Sequence, residues 1–410
     1  MSKRTVTLIF IAFFISNFVF AGDNPIQIKP YGYISYEIIY DTYRSVDTRD
    51  GELYLFPKRP QFDIHGNDIN KRSKFNMLSV HSRIGMDISG PDVLGAKTSG
   101  RIEADFFGTR QEHVRMLRMR QAFMRMNWET TEVILGNTFH PFFVLDCFPN
   151  TISFAAAVPF HPLNRSPQLR LTQDFSSDIS ASLSFIVHGY HNSAGPNDQQ
   201  RESGLPESVF QLRFGNASDL LFGMTAGYKF LSPRDITTGG EATDKIVGSY
   251  HFQAFTRYNL ESLSIKLQGV FGENLSHFVM IGGYGAKGSP DDFDWNSDFG
   301  YTNLRTLSIW TDLESPRSPW QWGLFAGYTE NLGAGDLYIP IPGLARYDEL
   351  HYLFRVSPRL LFHSNNLSFG VEYSYYNALY AEEYDAKGKP SVSMDPAINN
   401  HIILMARYSF

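Results

Sequence analysis

From Tyr31 to Phe410 the chain is patterned with a period of two. In residues 178–190, Ile179, Ala181, Leu183, Phe185 and Val187 fall on one face of an extended segment, and Ser180, Ser182, Ser184 and His188 on the other. In 218–231 the apolar face is Leu220, Phe222, Met224, Ala226, Tyr228 and Phe230, opposite Gly223, Thr225, Gly227 and Lys229. Side chains alternate in this way only along β-strands. Extended along the chain, the pattern predicts sixteen strands, at 31–43, 75–89, 98–107, 115–127, 131–138, 167–175, 178–190, 207–215, 218–231, 246–258, 261–273, 302–312, 319–331, 350–362, 366–378 and 398–410. Most are near the roughly 9–11 residues that a tilted membrane strand needs. Parity is readable in most of them, but not in 131–138 or 302–312.

The connections alternate in length. Trp128 to Thr131, Phe175 to Asp178, Gly215 to Ser218, Asn259 to Glu261 and His363 to Asn366 are tight turns. Between them come long segments at 44–74, 139–166, 191–206, 232–245, 274–301, 332–349 and 379–397. Short turns at one end and long loops at the other describe an up-and-down transmembrane barrel, whose apolar face meets lipid and whose polar face meets water. The expected fold class is therefore all-β: a transmembrane antiparallel β-barrel of sixteen strands. Trp128, Trp310, Trp320, Trp322 and Tyr408, near strand ends, are expected in the interfacial girdles.

The first residues assign a compartment. Lys3 and Arg4 precede an apolar stretch from Leu8 to Ile15, and Val19-Phe20-Ala21 fits a cleavage site. The expected organisation is a cleaved signal at 1–21, a short periplasmic segment at 22–30 and a barrel at 31–410. Cleavage after Ala21 leaves 34 basic against 42 acidic residues, a net charge of −8. That balance lacks the basic footprint of a nucleic-acid binder. Beyond the signal no stretch of about 18 apolar residues occurs, so helices are not the spanning element. Twenty-two Tyr, 34 Phe and 5 Trp suit the lipid-facing wall instead. The single Cys147 excludes an internal disulfide and reads as a small buried side chain. The last strand places Ile402, Leu404, Ala406, Tyr408 and Phe410 on one face, a C-terminal pattern resembling the assembly signal of bacterial outer-membrane barrels.

Enzymatic motifs are weak. Gly283 to Gly288 matches G-x-G-x-x-G but is followed by Ser289-Pro290 rather than by a helix that could receive a pyrophosphate. Asp292, Asp294, Asn296 and Asp298 have the alternation of a Ca²⁺ loop, but Ser297 and Asn303 stand where Gly and Glu are needed, which favours a solvated acidic loop. No catalytic residue, cofactor or metal is expected. Basic residues on inward faces carry more information: Arg83, Arg101, Arg118, Arg120, Arg170, Arg213, Arg257, Arg355, Arg359 and Arg407, with Lys229 and Lys266. The acids counted on those faces are Glu37, Asp87, Glu103, Asp105, Asp174 and Glu372. An excess of cations in a narrow lumen favours anions, although pairing with these acids would merely brace the wall. Arg118 and Arg120 share a face, with Leu117, Met119 and Phe123 expected on the lipid side. Segment 139–166, Pro-rich and apolar around Ile152 to Phe160, follows the fifth strand, where general porins fold a loop into the lumen. It is read as the constriction element, carrying His140, Asp146, His161 and Arg165.

Within 83–173, "SRIGMDISGP", "GAKTSGRIEADFFG", "MLRMRQAF", "ILGNTFHPF", "PNTISF" and "RSPQLRLTQ" resemble the DcaP-like trimeric porins of the outer membrane, associated with uptake of dicarboxylates and related small anions. The resemblance implies a homotrimer, sixteen strands per subunit and a basic constriction. It also makes Arg118, Arg120, Arg101, Glu103 and Arg170 candidate pore residues, joined by Arg83, Arg213, Arg165 and Asp146 from the inward faces and the loop. The combined expectation is a porin in the outer membrane of a Gram-negative bacterium, in contact with lipid bilayer and lipopolysaccharide, for passive diffusion of small carboxylate-type anions. The alternatives are an outer-membrane transporter for hydrophobic substrates and a barrel enzyme such as a phospholipase.

Overall fold

The structure is a computed structural model that describes residues 25–154 and 157–410. The expected signal at 1–21 lies outside these residues. No helix among the described residues is long and apolar enough to cross a membrane. The wall is made of β1 (Gln27–Asp41), β2 (Lys74–Leu78 continued by Arg83–Ser89), β3 (Lys97–Asp105), β4 (Arg118–Asn127), β5 (Thr131–Phe139), β6 (Arg165–Ser176), β7 (Ile179–Ile186) and β8 (Glu207–Gly215). It continues through β9 (Leu220–Leu231), β10 (Val247–Asn259), β11 (Ser264–Glu273), β12 (Tyr301–Glu314), β13 (Trp320–Ala334), β14 (Leu350–Ser364), β15 (Leu367–Tyr384) and β16 (Ala397–Ser409).

Each strand is antiparallel to its neighbours. The sheet closes where β1 pairs with β16, from Tyr33 opposite Ser409 to Asp41 opposite His401, while also pairing with both parts of β2. Closure leaves no unpaired edge, which is the condition for a sheet to stand in lipid. The first strand starts earlier than its pattern suggested: Gln27 to Lys29, expected in a periplasmic segment, pair with Ser89 to Asp87.

The barrel is inverted relative to a water-soluble protein. Leu183, Phe185, Phe210, Met224 and Leu404 stand exposed on its outer surface, whereas Ser184, Glu207, Lys229 and Arg355 are each 0% exposed inside. Two outward assignments fail. Trp310 is buried in the lumen, edge-on to His161 at 5.5 Å between ring centres. Phe123 also turns inward, because a bulge opposite Glu103/Ala104 gives β4 one extra residue, Arg120. Arg120 and Gln121 are both buried inside, and the alternation beyond them is reversed.

The principal apolar core lies inside the ring. Segment 139–166 crosses the lumen and places Phe143, Val144, Cys147, Val158, Phe160 and Leu163 in it, packed against Tyr54, Leu55 and Phe56 of the first long loop. The wall receives the segment through hydrogen bonds. Gln211 Nε2 donates to Pro141 O at 2.9 Å, Gln253 Nε2 to Phe142 O at 2.9 Å, and Ser308 Oγ to Phe160 O at 2.9 Å. Farther round, Ile152 N donates to Glu372 Oε2 at 2.8 Å. The loop thus spans from the end of β5 to β15. Gly327 on β13 makes room for it, since a Cβ there would come within 2.8 Å of the Phe160 ring.

Gly327→Leu is expected to overpack this contact, costing about 1–3 kcal/mol locally. The barrel should still form, as read by heat-modifiable gel mobility, while proteolysis within 139–166 accelerates. Cleavage as slow as in the parent would show that Phe160 does not hold the loop.

Candidate functional site

The inward face of β2 to β6 presents a ladder of guanidinium groups, most of them tied to carboxylates. Arg118 forks onto Asp105, with Nε to Oδ1 at 2.9 Å and Nη2 to Oδ2 at 2.7 Å. Arg120 bridges Glu103 and Asp105, at 2.7 and 2.8 Å. The bulge makes this bridging possible by turning Arg120 inward beside Gln121, which donates to the same Glu103 at 3.2 Å. Arg101 grips Asp87 at 2.6 and 3.0 Å in a more exposed position. Arg83 stands 3.8 Å from Glu103 and over the Tyr33 ring. Arg213 pairs with Asp146 of the inward segment, and Arg257 donates to the Asp146 carbonyl at 3.2 Å. Arg170 donates to Gln168 Oε1 at 2.7 Å and to Phe139 O at 2.6 Å.

Arg165 differs. It opens β6 where the inward segment rejoins the wall, is only 4% exposed, and forms no ion pair among the described residues. Its guanidinium lies over the Phe139 ring, 5.4 Å from the centre. Two cavities meet there, sharing Phe154, Leu163 and Arg165. The cavity toward the long loops, about 340 Å³, is lined by Arg49, Arg118, Arg165, Arg346 and His191 and by no Asp or Glu. The cavity on the other side, about 350 Å³, is lined by Arg83, Arg101, Arg120, Arg165 and Arg407, with Glu103 as its one carboxylate.

Arg49 and Arg346 come from long loops and are held by neutral groups. Arg49 donates to Thr48 Oγ1 and Thr109 O, each at 2.7 Å, and to the Tyr190 hydroxyl, while Arg346 donates to Ser276 O at 2.7 Å. His191, on the loop after β7, registers the local field. Burial, and then the guanidiniums of Arg165 and Arg118, hold its imidazole well below the usual range, so it adds no charge near neutral pH.

Sequence reasoning placed Arg165 in the constriction loop and the other arginines on the inward faces. It missed Arg49 and Arg346, which lie in segments without periodicity. It also missed several inward acids, among them Asp41, which lies 2.7 Å from His401 Nδ1. Asp312 and Glu314 belong to the strand whose parity was unreadable. They take Arg359 at 2.6 Å and Lys266 at 2.7 Å, and Arg355 meets Glu372 at 2.8 Å. Glu207 is 0% exposed inside the barrel. The excess of cations is therefore smaller along the wall than counted, and concentrated at the constriction. The acidic loop does not gather its groups on one point. Asp298 accepts Thr243 Oγ1 at 2.6 Å and lies 3.7 Å from Lys245, whereas Asp294 accepts the Asn296 N–H at 2.9 Å; the Asp292 side chain is outside those described.

No protein-family model and no curated protein sequence matches the chain. Solved structures do. The outer membrane channel DcaP of Acinetobacter baumannii aligns over 94% of this chain and 97% of its own, with a TM-score of 0.67 at 15% identity. The outer-membrane-expressed OmpT of Vibrio cholerae aligns over 96% and 100%, with a TM-score of 0.56 at 11% identity. An anion-selective porin from Comamonas acidovorans aligns over 94% and 100%, with a TM-score of 0.56 at 8% identity. The chain has the closed sixteen-stranded fold of outer-membrane porins.

Asp105 is the acid on which two buried arginines depend. Asp105→Asn leaves Arg118 without a counter-charge and Arg120 with Glu103 alone, and is expected to lower stability by about 3–5 kcal/mol, as for a broken buried pair. Asp87→Asn, at a half-exposed pair, is expected to cost under about 1 kcal/mol. Urea denaturation in lipid vesicles measures both. Equal effects would show that burial of the Arg118–Asp105–Arg120 group carries no weight.

Proposed function

We propose that the protein is an outer-membrane porin for passive, non-enzymatic diffusion of small anions of the carboxylate type, selected at Arg165. The observation that carries this reading is the cavity on the long-loop side of Arg165, lined by four arginines and by no acid. Charge alone does not decide selectivity, because a guanidinium already forked onto a carboxylate presents little net field. Arg118 and Arg120 are neutralised in this way. Arg165 is not. An anion 5 Å from its charge would gain roughly 3 kcal/mol at an effective dielectric near 20, whereas a cation would lose as much. The paired arginines then shape the passage and hold its width. Guanidinium geometry suits a carboxylate, which it meets with two parallel N–H bonds.

The two cavities of about 340 and 350 Å³ have room for a small organic anion, and the loops packed into the lumen favour a narrow passage. A hydrophobic solute finds little support in this lining. The apolar outer wall would contact lipid and, on the long-loop side, lipopolysaccharide. A homotrimer is part of the proposal and rests on the resemblance within 83–173.

Planar-bilayer recordings test the reading. The parent channel is expected to show an anion-selective reversal potential in a KCl gradient. Arg165→Ala should lower the chloride-to-potassium permeability ratio severalfold and slow dicarboxylate entry into liposomes, with little effect on neutral sugars of similar size. A cation-selective parent, or an Arg165→Ala channel with unaltered selectivity, would refute the assignment.

A further inference from the structure

On the long-loop side of the barrel, one carboxylate is ringed by four imidazoles. Glu207 begins β8 and is 0% exposed. Its Oε1 lies 2.7 Å from His251 Nε2, 3.2 Å from His140 Nε2 and 3.6 Å from His277 Nε2, and its Oε2 lies 2.6 Å from His188 Nε2. All four rings are buried. From these observations we propose that Glu207, His188 and His277, completed by His251 or His140, bind one transition-metal ion of the zinc class.

Three features separate this group from a carboxylate merely satisfied by hydrogen bonds. The first is spacing. Four ligands at about 2.0–2.1 Å around a tetrahedral ion stand roughly 3.3 Å from one another. The separations from Glu207, 2.6 to 3.6 Å, bracket that value, and ligand atoms of His188, Glu207 and His277 all lie within 4.8 Å of one another. The second is an unused nitrogen. His277 Nε2 is buried, faces Glu207 at 3.6 Å and has no hydrogen-bond partner among the described residues. An unpaired buried ring nitrogen is costly unless something else occupies its lone pair.

The third is the support behind it. His277 Nδ1 lies 2.8 Å from Lys229 Nζ, which also donates to Ser193 Oγ at 2.9 Å and to Asn274 O at 2.5 Å. A metal on Nε2 requires the proton on Nδ1. Lys229 holds that nitrogen in place, its own position fixed by Ser193 and Asn274. This is the outer-shell bond that orients a ligating histidine.

The backbone is shaped for the cluster. A Cβ at Gly227, on the neighbouring β9, would lie 2.1 Å from His251 Nε2, so only glycine lets that ring lie across toward Glu207. His188 also lines a cavity of about 480 Å³ among the long loops, which gives an ion a route in. The ligands come from two wall strands and three separate loops, with His140 at the root of the inward segment. A bound ion would therefore staple those loops to the wall. Imidazole-rich coordination excludes Mg²⁺ and Ca²⁺, which prefer all-oxygen shells.

The test uses folded full-length protein in detergent, stripped with EDTA and titrated with Co²⁺ or Zn²⁺ alone. One equivalent of Co²⁺ is expected to give the intense visible bands of tetrahedral coordination. Zn²⁺ should displace it and raise the melting temperature, an effect reversed by EDTA. The double variant His188→Ala/His277→Ala should lose this equivalent, while His65→Ala/His113→Ala keeps it. Pale octahedral spectra in the parent, or undiminished uptake by the first variant, would overturn the proposal. Should the variant not fold, the parent's cobalt spectrum decides alone, because a surface histidine pair does not give tetrahedral bands.

Discussion

Every backbone N–H and C=O that enters lipid must be bonded within the protein, and closure of β1 onto β16 is how this chain meets that demand. The rest of the structure follows from it. Once the ring is closed and its outer face is given to Leu, Phe and Met, charged side chains along the strands have one place to go. An arginine turned toward the bilayer midplane would cost about 2–4 kcal/mol, so each inward guanidinium reflects a solvent preference before it reflects a function. The lumen is then crowded with charge, and the arrangement of that charge becomes the question.

Crowding is resolved by pairing along most of the wall. Asp312 and Glu314 meet Arg359 and Lys266, Glu372 meets Arg355, and Asp105 meets Arg118. Several of these acids do a second task. Asn150 of the inward segment bonds to Asp312 and Glu314, and Ile152 N bonds to Glu372. Carboxylates neutralised by the wall thus anchor the loop by their remaining lone pairs. A pair of this kind contributes little field and much geometry. Arg165 sits where that geometry ends, held by packing on Phe139 rather than by an acid.

Strand number and the alternation of short turns with long loops were legible in the sequence because lipid outside and water inside impose period two on each strand. Segment 139–166 was legible as an inward element because Ile152 to Phe160 is too apolar for an exposed loop. Other features depend on register and could not be read. The bulge at Arg120 reverses the faces beyond it and turns Phe123 inward, and a bulge leaves no trace in a pattern of residue types. Trp310 was assigned to a girdle because aromatics near strand ends usually belong there, yet its partner His161 lies on the inward loop. Arg49, Arg346 and the four histidines around Glu207 are scattered along the chain. Only the closing of the ring and the folding-in of its loops bring them together.

An unpaired guanidinium in a narrow passage requires rigid surroundings, since a mobile acid within reach would neutralise it. Carboxylates are available nearby: Glu103 and Asp105 sit on the adjoining part of the wall. What keeps them from Arg165 is prior commitment, Glu103 to Arg120 and Tyr31, and Asp105 to both Arg118 and Arg120. The apolar packing of Phe143, Phe160 and Leu163 against Tyr54 and Phe56 fixes the loop from the other side. Selectivity at this position is thus a property of the whole network: the paired arginines hold the acids away, and Arg165, left without one, supplies the field.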